Sequence, residues 1–266
     1  MLNAKNGYLV LPSGAVDFIR FGSGHKKLIM IPGVGDGLKT VRGMALPFAV
    51  LYRSLAKDFS VYIFSRRRIL SPEMTTREMA EDLNEAMEAL KITSASIVGV
   101  SQGGMIAQWL AIDHPDKVEK LVLTVTLSRP NDVLKDAIAR WLTMADQGDY
   151  RGIMLDTAER SYSAKRLRQS RLMYSLIGSI GKPKSFDRFR IQAKSCLAHD
   201  TYDLLGTISC PALVIGGKKD KIVTGEASYE MAERIPDAKL IMYGGLGHGL
   251  YEEAPDFLSQ VAEFCR

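Results

Sequence analysis

Residues 97–104, Ile97-Val98-Gly99-Val100-Ser101-Gln102-Gly103-Gly104, run a short β-branched strand into Gly-x-Ser-x-Gly, and the helical pattern Met105-Ile106-Ala107-Gln108-Trp109-Leu110 follows at once. A serine wedged between a strand and a helix has to adopt a strained turn, and glycines two residues before and after it leave room for the crossing backbone. The strain lifts the hydroxyl clear of its neighbours. A strand that hands directly to a helix in this way belongs to a parallel sheet covered by helices, so this octapeptide constrains the fold as well as the chemistry.

The rest of the chain keeps that alternation. Tyr8–Leu11 and Ala15–Phe21 flank Pro12-Ser13-Gly14, a turn signal that predicts an antiparallel opening pair. Strands are expected at Lys27–Ile31, Val61–Phe64, Ile97–Val100, Val118–Val125, Ala212–Gly216 and Lys239–Tyr243, with helices over 46–57, 76–90, 227–234 and 255–264. In the second of these helices Thr75 or Thr76 offers an N-cap, and Met79, Leu83, Ala86, Met87 and Leu90 form one apolar stripe. From Arg129 to about Thr207 the strand rhythm stops, and a charged, methionine-containing helical pattern takes over. The expected class is therefore α/β: a mostly parallel eight-stranded sheet flanked by helices, with a core of residues 1–128 and 207–266 and a helical insertion at 129–206. At 266 residues the chain can bury a core on both faces of such a sheet.

Net charge is +5, and its distribution limits what it means. The segment from Arg129 to Gly206 holds 14 Lys/Arg against 9 Asp/Glu, so it carries the whole excess. Basic runs occur at Arg66-Arg67-Arg68 and Lys165-Arg166-Leu167-Arg168, without the interleaved stacking aromatics of a nucleic-acid site. Nucleic acid is not expected as a partner, although the positive field can steer anionic small molecules. No run of eighteen apolar residues occurs and the first seven residues lack the apolar stretch of a secretion signal, so no membrane association and a cytoplasmic location are expected. Cys196, Cys210 and Cys265 lack metal-ligand spacing and fit reduced thiols. No metal is expected.

A serine hydroxyl needs a base to accept its proton as it attacks, and that base needs a third group to hold it. Of four histidines, His248 stands in the glycine-rich Tyr243–Gly249 loop directly after the last strand, at the carboxyl edge where such sheets place their chemistry. His25, His114 and His199 read as surface or capping residues. Asp220 closes the loop after the preceding strand, giving the order Ser101, Asp220, His248 expected for this type of turn. Asp132 is the reserve acid, and Asp203 a more remote one. Developing oxyanion charge calls for fixed backbone N–H donors. Gln102, at the start of the helix, supplies one, and Val34, in Pro32-Gly33-Val34-Gly35-Asp36-Gly37, the other. That glycine run has neither the Lys-Ser/Thr of a phosphate loop nor Gly-x-Gly-x-x-Gly spacing, so no nucleotide or other cofactor is expected.

On these residues the chain resembles the α/β-hydrolase-fold serine hydrolases, most of all small bacterial esterases and lactonases whose turn continues as Gly-Gly-Met-x-x-Gln-Trp-Leu and then His-Pro-Asp-Lys-Val-x-Lys-Leu-Val-Leu. The resemblance spans about 28–128 and 208–264. It implies that the insertion is a helical cap shaping the acyl or alcohol pocket. Two departures stand out: Pro32-Gly33 replaces a His-Gly, and Phe64-Ser65-Arg66-Arg67-Arg68-Ile69 replaces an Asp-x-Arg-Gly-x-Gly. The expected activity is hydrolysis of a small carboxylic ester or lactone through an acyl-enzyme. Carbon–carbon bond hydrolase, thioesterase and perhydrolase chemistry share the same three residues, and a non-catalytic ligand receptor shares the fold. Gly33, Trp141, Met144 and Tyr174 are the candidate substrate contacts, with Met154, Tyr162, Met173 and Phe186 as further apolar candidates and Gln102 a polar candidate to face the pocket. Oligomeric state is left open.

Overall fold

Alternating side chains along the inner strands are apolar in both directions, which dictates a sheet covered on both faces. The computed structural model describes residues 2–169 and 181–266. It forms one eight-stranded sheet from β1 (Lys5–Leu11), β2 (Gly14–Phe21), β3 (Lys26–Ile31), β4 (Phe59–Arg67), β5 (Ala95–Val100), β6 (Val118–Thr124), β7 (Ala212–Gly217) and β8 (Lys239–Tyr243). The spatial order is β1-β2-β4-β3-β5-β6-β7-β8. β2 is antiparallel to both β1 and β4, and every pairing from β4 through β8 is parallel.

In β3, Leu28 and Met30 face one core while Ile29 and Ile31 face the other. The first core is closed by α1 (Ala45–Leu51) and by the closing helix, which contributes Phe257 and Val261; the second is closed by α2 (Thr76–Ala89) and α3 (Gln102–Asp113). α2 begins where its sequence says it should. The Thr75 hydroxyl accepts from the Glu78 amide while the Glu78 carboxylate accepts from the Thr75 amide, a complete capping box.

Between β6 and β7 lie α4 (Asp132–Asp146), α5 (Tyr150–Ser161) and α6 (Asp187–Leu197). Their apolar faces meet in a separate cluster built on Trp141, Ile138, Phe186 and Phe189, which also takes in Met105, Leu127, Ile222 and Val223 from the sheet layer. α7 (Glu226–Arg234), α8 (Leu250–Glu253) and α9 (Phe257–Cys265) complete the chain.

Three local expectations change. The first helix is only Ala45–Leu51 and passes into turns where a helix to 57 was expected. β4 continues to Arg67, three residues beyond Phe64, because its arginines find partners on both sides. Arg67 lies 3.3 Å from Asp82 and Arg68 lies 2.6 Å from Asp17, while Arg66 is buried. Arg67 and Arg68 are thus paired with carboxylates of the fold, and Arg66 is withdrawn from solvent. His199 is a core residue with 1% exposure, its Nδ1 3.0 Å from the Thr76 hydroxyl and its ring edge-on to Trp109, so the surface or capping role is wrong for it. His25 is exposed and His114 bonds Glu81, as read. Among the described residues no helix is long and apolar enough to cross a membrane.

Candidate active site

From β3 the chain crosses to β4 on one side and then to β5 on the other, and the crevice outside the carboxyl ends of strands that diverge in this way is where open α/β sheets bind ligands. Ile31 pairs with Gly99, so the loop after β3 and the turn after β5 leave the sheet side by side. At that turn Ser101 has φ 55° and ψ −122°, a left-handed conformation that costs a non-glycine residue about 1–3 kcal/mol. The flanking glycines make the turn possible. A Cβ on Gly103 would stand 2.0 Å from the Ile31 carbonyl oxygen, and one on Gly99 would stand 2.5 Å from the Gly103 carbonyl oxygen. Val34 opens a 3-10 turn (Val34–Gly37) and Gln102 opens α3, so the N–H of each has no acceptor inside its own helix. A Cβ on the intervening Gly33 would reach 3.7 Å from the Ser101 hydroxyl, which shows how closely the two loops pass.

The other half of the site leaves the ends of β7 and β8. The two loops are tied by backbone bonds from the Lys218 amide to the Tyr243 carbonyl and from the Lys219 amide to the Leu246 carbonyl. Asp220 Oδ1 accepts from the amides of Ile222 (2.8 Å) and Val223 (3.0 Å), and Oδ2 lies 2.8 Å from His248 Nδ1. Burial alone would raise the Asp220 pKa. The His248 charge, its hydrogen bond and the two amides outweigh the effect of burial and hold the carboxyl below its ordinary value. His248 is itself 7% exposed. With Nδ1 directed at the carboxylate, Nε2 is the nitrogen left for a proton in transit.

Ser101 and His248 line one cavity of about 440 Å³, within the usual range for small-molecule sites. Its walls are mostly apolar: Val34, Met44, Phe48, Tyr52 and Trp141 contribute, with Lys39 and Glu252 among its charged groups. Burial, and secondarily Glu252, pushes the Tyr52 phenol up to about 12, so it serves there as a neutral hydroxyl. The alternative acids are elsewhere. Asp132 is almost fully exposed and paired to Lys135 at 3.1 Å, and Asp203 is exposed in the Tyr202–Thr207 turn.

The family model for the alpha/beta hydrolase fold matches residues 26–255. The chain belongs to the alpha/beta hydrolase fold family. It is a hydrolase, and two curated relatives extend the match. A protein of Caulobacter sp. (strain K31) assigned as the carbamate hydrolase RutD is 28% identical over 242 residues, covering 88% of each chain. The pimeloyl-[acyl-carrier protein] methyl ester esterase of Chromobacterium violaceum is 29% identical over 246 residues, covering 88% of this chain and 93% of the other. In fold, the chain is similar to the enol-lactonase of Burkholderia xenovorans LB400, with a TM-score of 0.81 at 20% identity, over 97% of this chain and 99% of that one.

Within this alpha/beta hydrolase some expected contacts fall outside the cavity. Met144 packs in the apolar cluster of α4 to α6 because its position on α4 faces the neighbouring helices, and it does not line the cavity; Met154 and Phe186 share that cluster. Tyr162 does line the cavity, and Tyr174 and Met173 lie outside the described residues. The Gln102 side chain turns away from the pocket: Oε1 accepts from Arg66 Nη2 at 2.9 Å, and Nε2 donates to the Gln192 carbonyl at 2.7 Å. Sequence reasoning named Arg66 only within a basic triplet and Asp36 only within a glycine-rich loop, and gave neither a place beside the site. The only available signal was an arginine at the end of an apolar strand, facing a loop that begins with proline.

Burial pushes the Cys196 thiol up to about 12 and Cys265 to about 11, which keeps both protonated and poorly nucleophilic.

Proposed function

We propose that this hydrolase cleaves a small carboxylic ester or lactone through an acyl-enzyme formed on Ser101. The observation that carries this reading is the 2.8 Å contact between His248 Nδ1 and the buried Asp220 carboxylate, with His248 and Ser101 lining the same cavity. Ser101 Oγ attacks the carbonyl carbon while His248 Nε2 takes its proton. Asp220 holds the ring in the required tautomer and stabilises the imidazolium. The oxyanion is received by the N–H groups of Val34 and Gln102, the second reinforced by the start of the α3 dipole. His248 then gives its proton to the leaving alkoxide, and a water molecule, deprotonated by the same nitrogen, releases the acid and restores Ser101.

Residues 129–206 act as the cap in this reading, since Trp141, Thr157, Ser161 and Tyr162 supply one side of the cavity. Gly33 shapes its floor beside the nucleophile. The names of the two curated relatives, a carbamate hydrolase and a methyl ester esterase, fit attack at an acyl carbon bearing a heteroatom. The test is a panel of p-nitrophenyl esters and lactones assayed with wild type and Ser101→Ala, alongside fluorophosphonate labelling. The expected result is turnover that falls by at least about a thousandfold in the variant and an adduct on Ser101 in the wild type. Unchanged turnover in Ser101→Ala refutes the assignment.

A further inference from the structure

Pro32 can offer the loop after β3 neither a side-chain hydrogen bond nor a backbone N–H, so the loop that carries Val34 has to be anchored from outside. The anchor is a buried cation. Arg66 Nη2 donates at 2.5 Å to the Pro32 carbonyl and at 2.9 Å to Gln102 Oε1, so a single nitrogen joins the two segments to which the proposed function assigns the oxyanion-hole N–H groups. The Arg66 amide donates at 3.1 Å to Asp36 Oδ2 within the 3-10 turn begun by Val34. The same carboxylate oxygen receives Arg188 Nη2 at 3.0 Å and Gln192 Nε2 at 3.3 Å from α6, and Gln102 Nε2 reaches the Gln192 carbonyl and the Ser195 hydroxyl. Contact between α6 and the turn is also steric, since a Cβ on Gly37 would stand 2.6 Å from the Phe189 Cα.

We propose that Arg66 is a positioning residue for the oxyanion hole, setting the separation of the Val34 and Gln102 amides by holding Pro32 and Gln102 on one guanidinium. This rests on the serine-hydrolase reading above. Two features set Arg66 apart from an ordinary packing residue. It is 5% exposed, and among the described residues its Nε and Nη1 have no acceptor, so it is a costly group to bury for stability alone. Both hydrogen bonds of its guanidinium end on these two segments, and the Asp36 carboxylate is met by the Arg66 backbone amide rather than by its side chain. Amides displaced by a fraction of an ångström still admit substrate but meet the tetrahedral intermediate poorly, so the loss belongs in kcat and leaves KM largely unchanged.

The test measures kcat and KM for p-nitrophenyl butyrate, together with inhibition by butylboronic acid, whose adduct with Ser101 places an oxygen in the hole. Wild type, Ser101→Ala, Arg66→Met, Arg66→Lys and Gln102→Met are compared, with thermal midpoints recorded for all. Arg66→Met is expected to lower kcat by about 10- to 100-fold, below the loss from deleting a donor outright, with KM within about threefold. Boronate affinity falls by a similar factor, and Arg66→Lys recovers part of both. Should Arg66→Met fail to fold, Gln102→Met, which removes the side-chain acceptor of Arg66 together with the Nε2 bonds to Gln192 and Ser195 but keeps the Gln102 amide, carries the test with a smaller parallel loss. A changed midpoint with unchanged kcat and boronate affinity in the folded variants overturns the proposal and leaves the serine mechanism standing. Full activity in Ser101→Ala overturns both.

Discussion

Replacing Asp220 with asparagine isolates the contribution of one hydrogen bond, because the two side chains have the same shape. Asp220 Oδ1 receives two amides and Oδ2 faces His248 Nδ1. Asparagine has one oxygen to distribute. Turned toward Ile222 and Val223, it keeps both amide bonds and presents its NH2 to Nδ1, which must then accept. Turned the other way, it sets NH2 against two buried N–H groups at about 1–3 kcal/mol for each bond lost, so the first orientation wins. The ring proton is thereby moved to Nε2, which can no longer take the Ser101 proton. A wrong-tautomer histidine of this kind costs about 10⁴ in rate, or about 5 kcal/mol of barrier. kcat/KM for p-nitrophenyl butyrate at pH 7.5 reads the effect, with circular dichroism to verify folding. A loss under tenfold in folded protein refutes the role given to this pair. The variant also carries a stability signature. With its pKa below the ordinary carboxylate value in the folded state, Asp220 contributes stability that is fully present above its unfolded pKa of about 4 and is lost as pH falls through the folded value. Asparagine removes that part of the acid-side slope.

His199 sets a second pH signature, of opposite origin. Burial lowers its pKa from 6.5 to about 3, so between those values only the unfolded chain takes up the proton, and stability declines as pH drops through that window. Thermal midpoints of His199→Gln between pH 7.5 and 5 should decline less steeply than those of wild type, and equal slopes would exclude His199 as the source. Trp141 and Met144 lie one helical turn apart on α4 but have different surroundings. Trp141→Phe shifts KM for bulky acyl esters by about tenfold, whereas Met144→Leu leaves KM and kcat within about twofold; steady-state kinetics with both variants decides, and a KM effect from Met144 alone would show the cavity wall to be misplaced.

Much of this site was legible because its parts are local. Gly-x-Ser-x-Gly between a strand and a helix states its own geometry, and the positions of Asp220 and His248 just beyond β7 and β8 follow from chain order in a parallel sheet, where every strand delivers its loop to the same edge. The faces of α4 were harder to read. Trp141 and Met144 are three residues apart and equally apolar, and only the angle at which α4 meets the other helices decides that one reaches the cavity and the other does not. Arg66 was illegible for a related reason. A charged triplet after an apolar strand looks like a solvated end, and its burial depends on Asp17, Asp82 and Asp36, which come from three distant parts of the chain.

The placement of strain explains why these hidden residues gather where they do. Ser101 occupies a left-handed conformation, and the turn survives because Gly99 and Gly103 let backbone pass where a Cβ would clash with it. Such a turn fixes Ser101 and the Gln102 amide together, since one dihedral pair orients both. It fixes nothing on the β3 side, where Val34 sits on a short glycine-rich 3-10 turn with little intrinsic rigidity. An oxyanion hole of the proposed kind, with one rigid wall and one soft wall, would lose its pre-organisation, and with it the electrostatic advantage over water. The buried bonds from Arg66 to Pro32, and from Arg188 and Gln192 to Asp36, are applied to the soft wall. Rigidity that backbone geometry provides on one side is therefore supplied by side chains on the other, and two of those side chains come from α6, which makes the insertion part of the site's geometry as well as of its cavity wall.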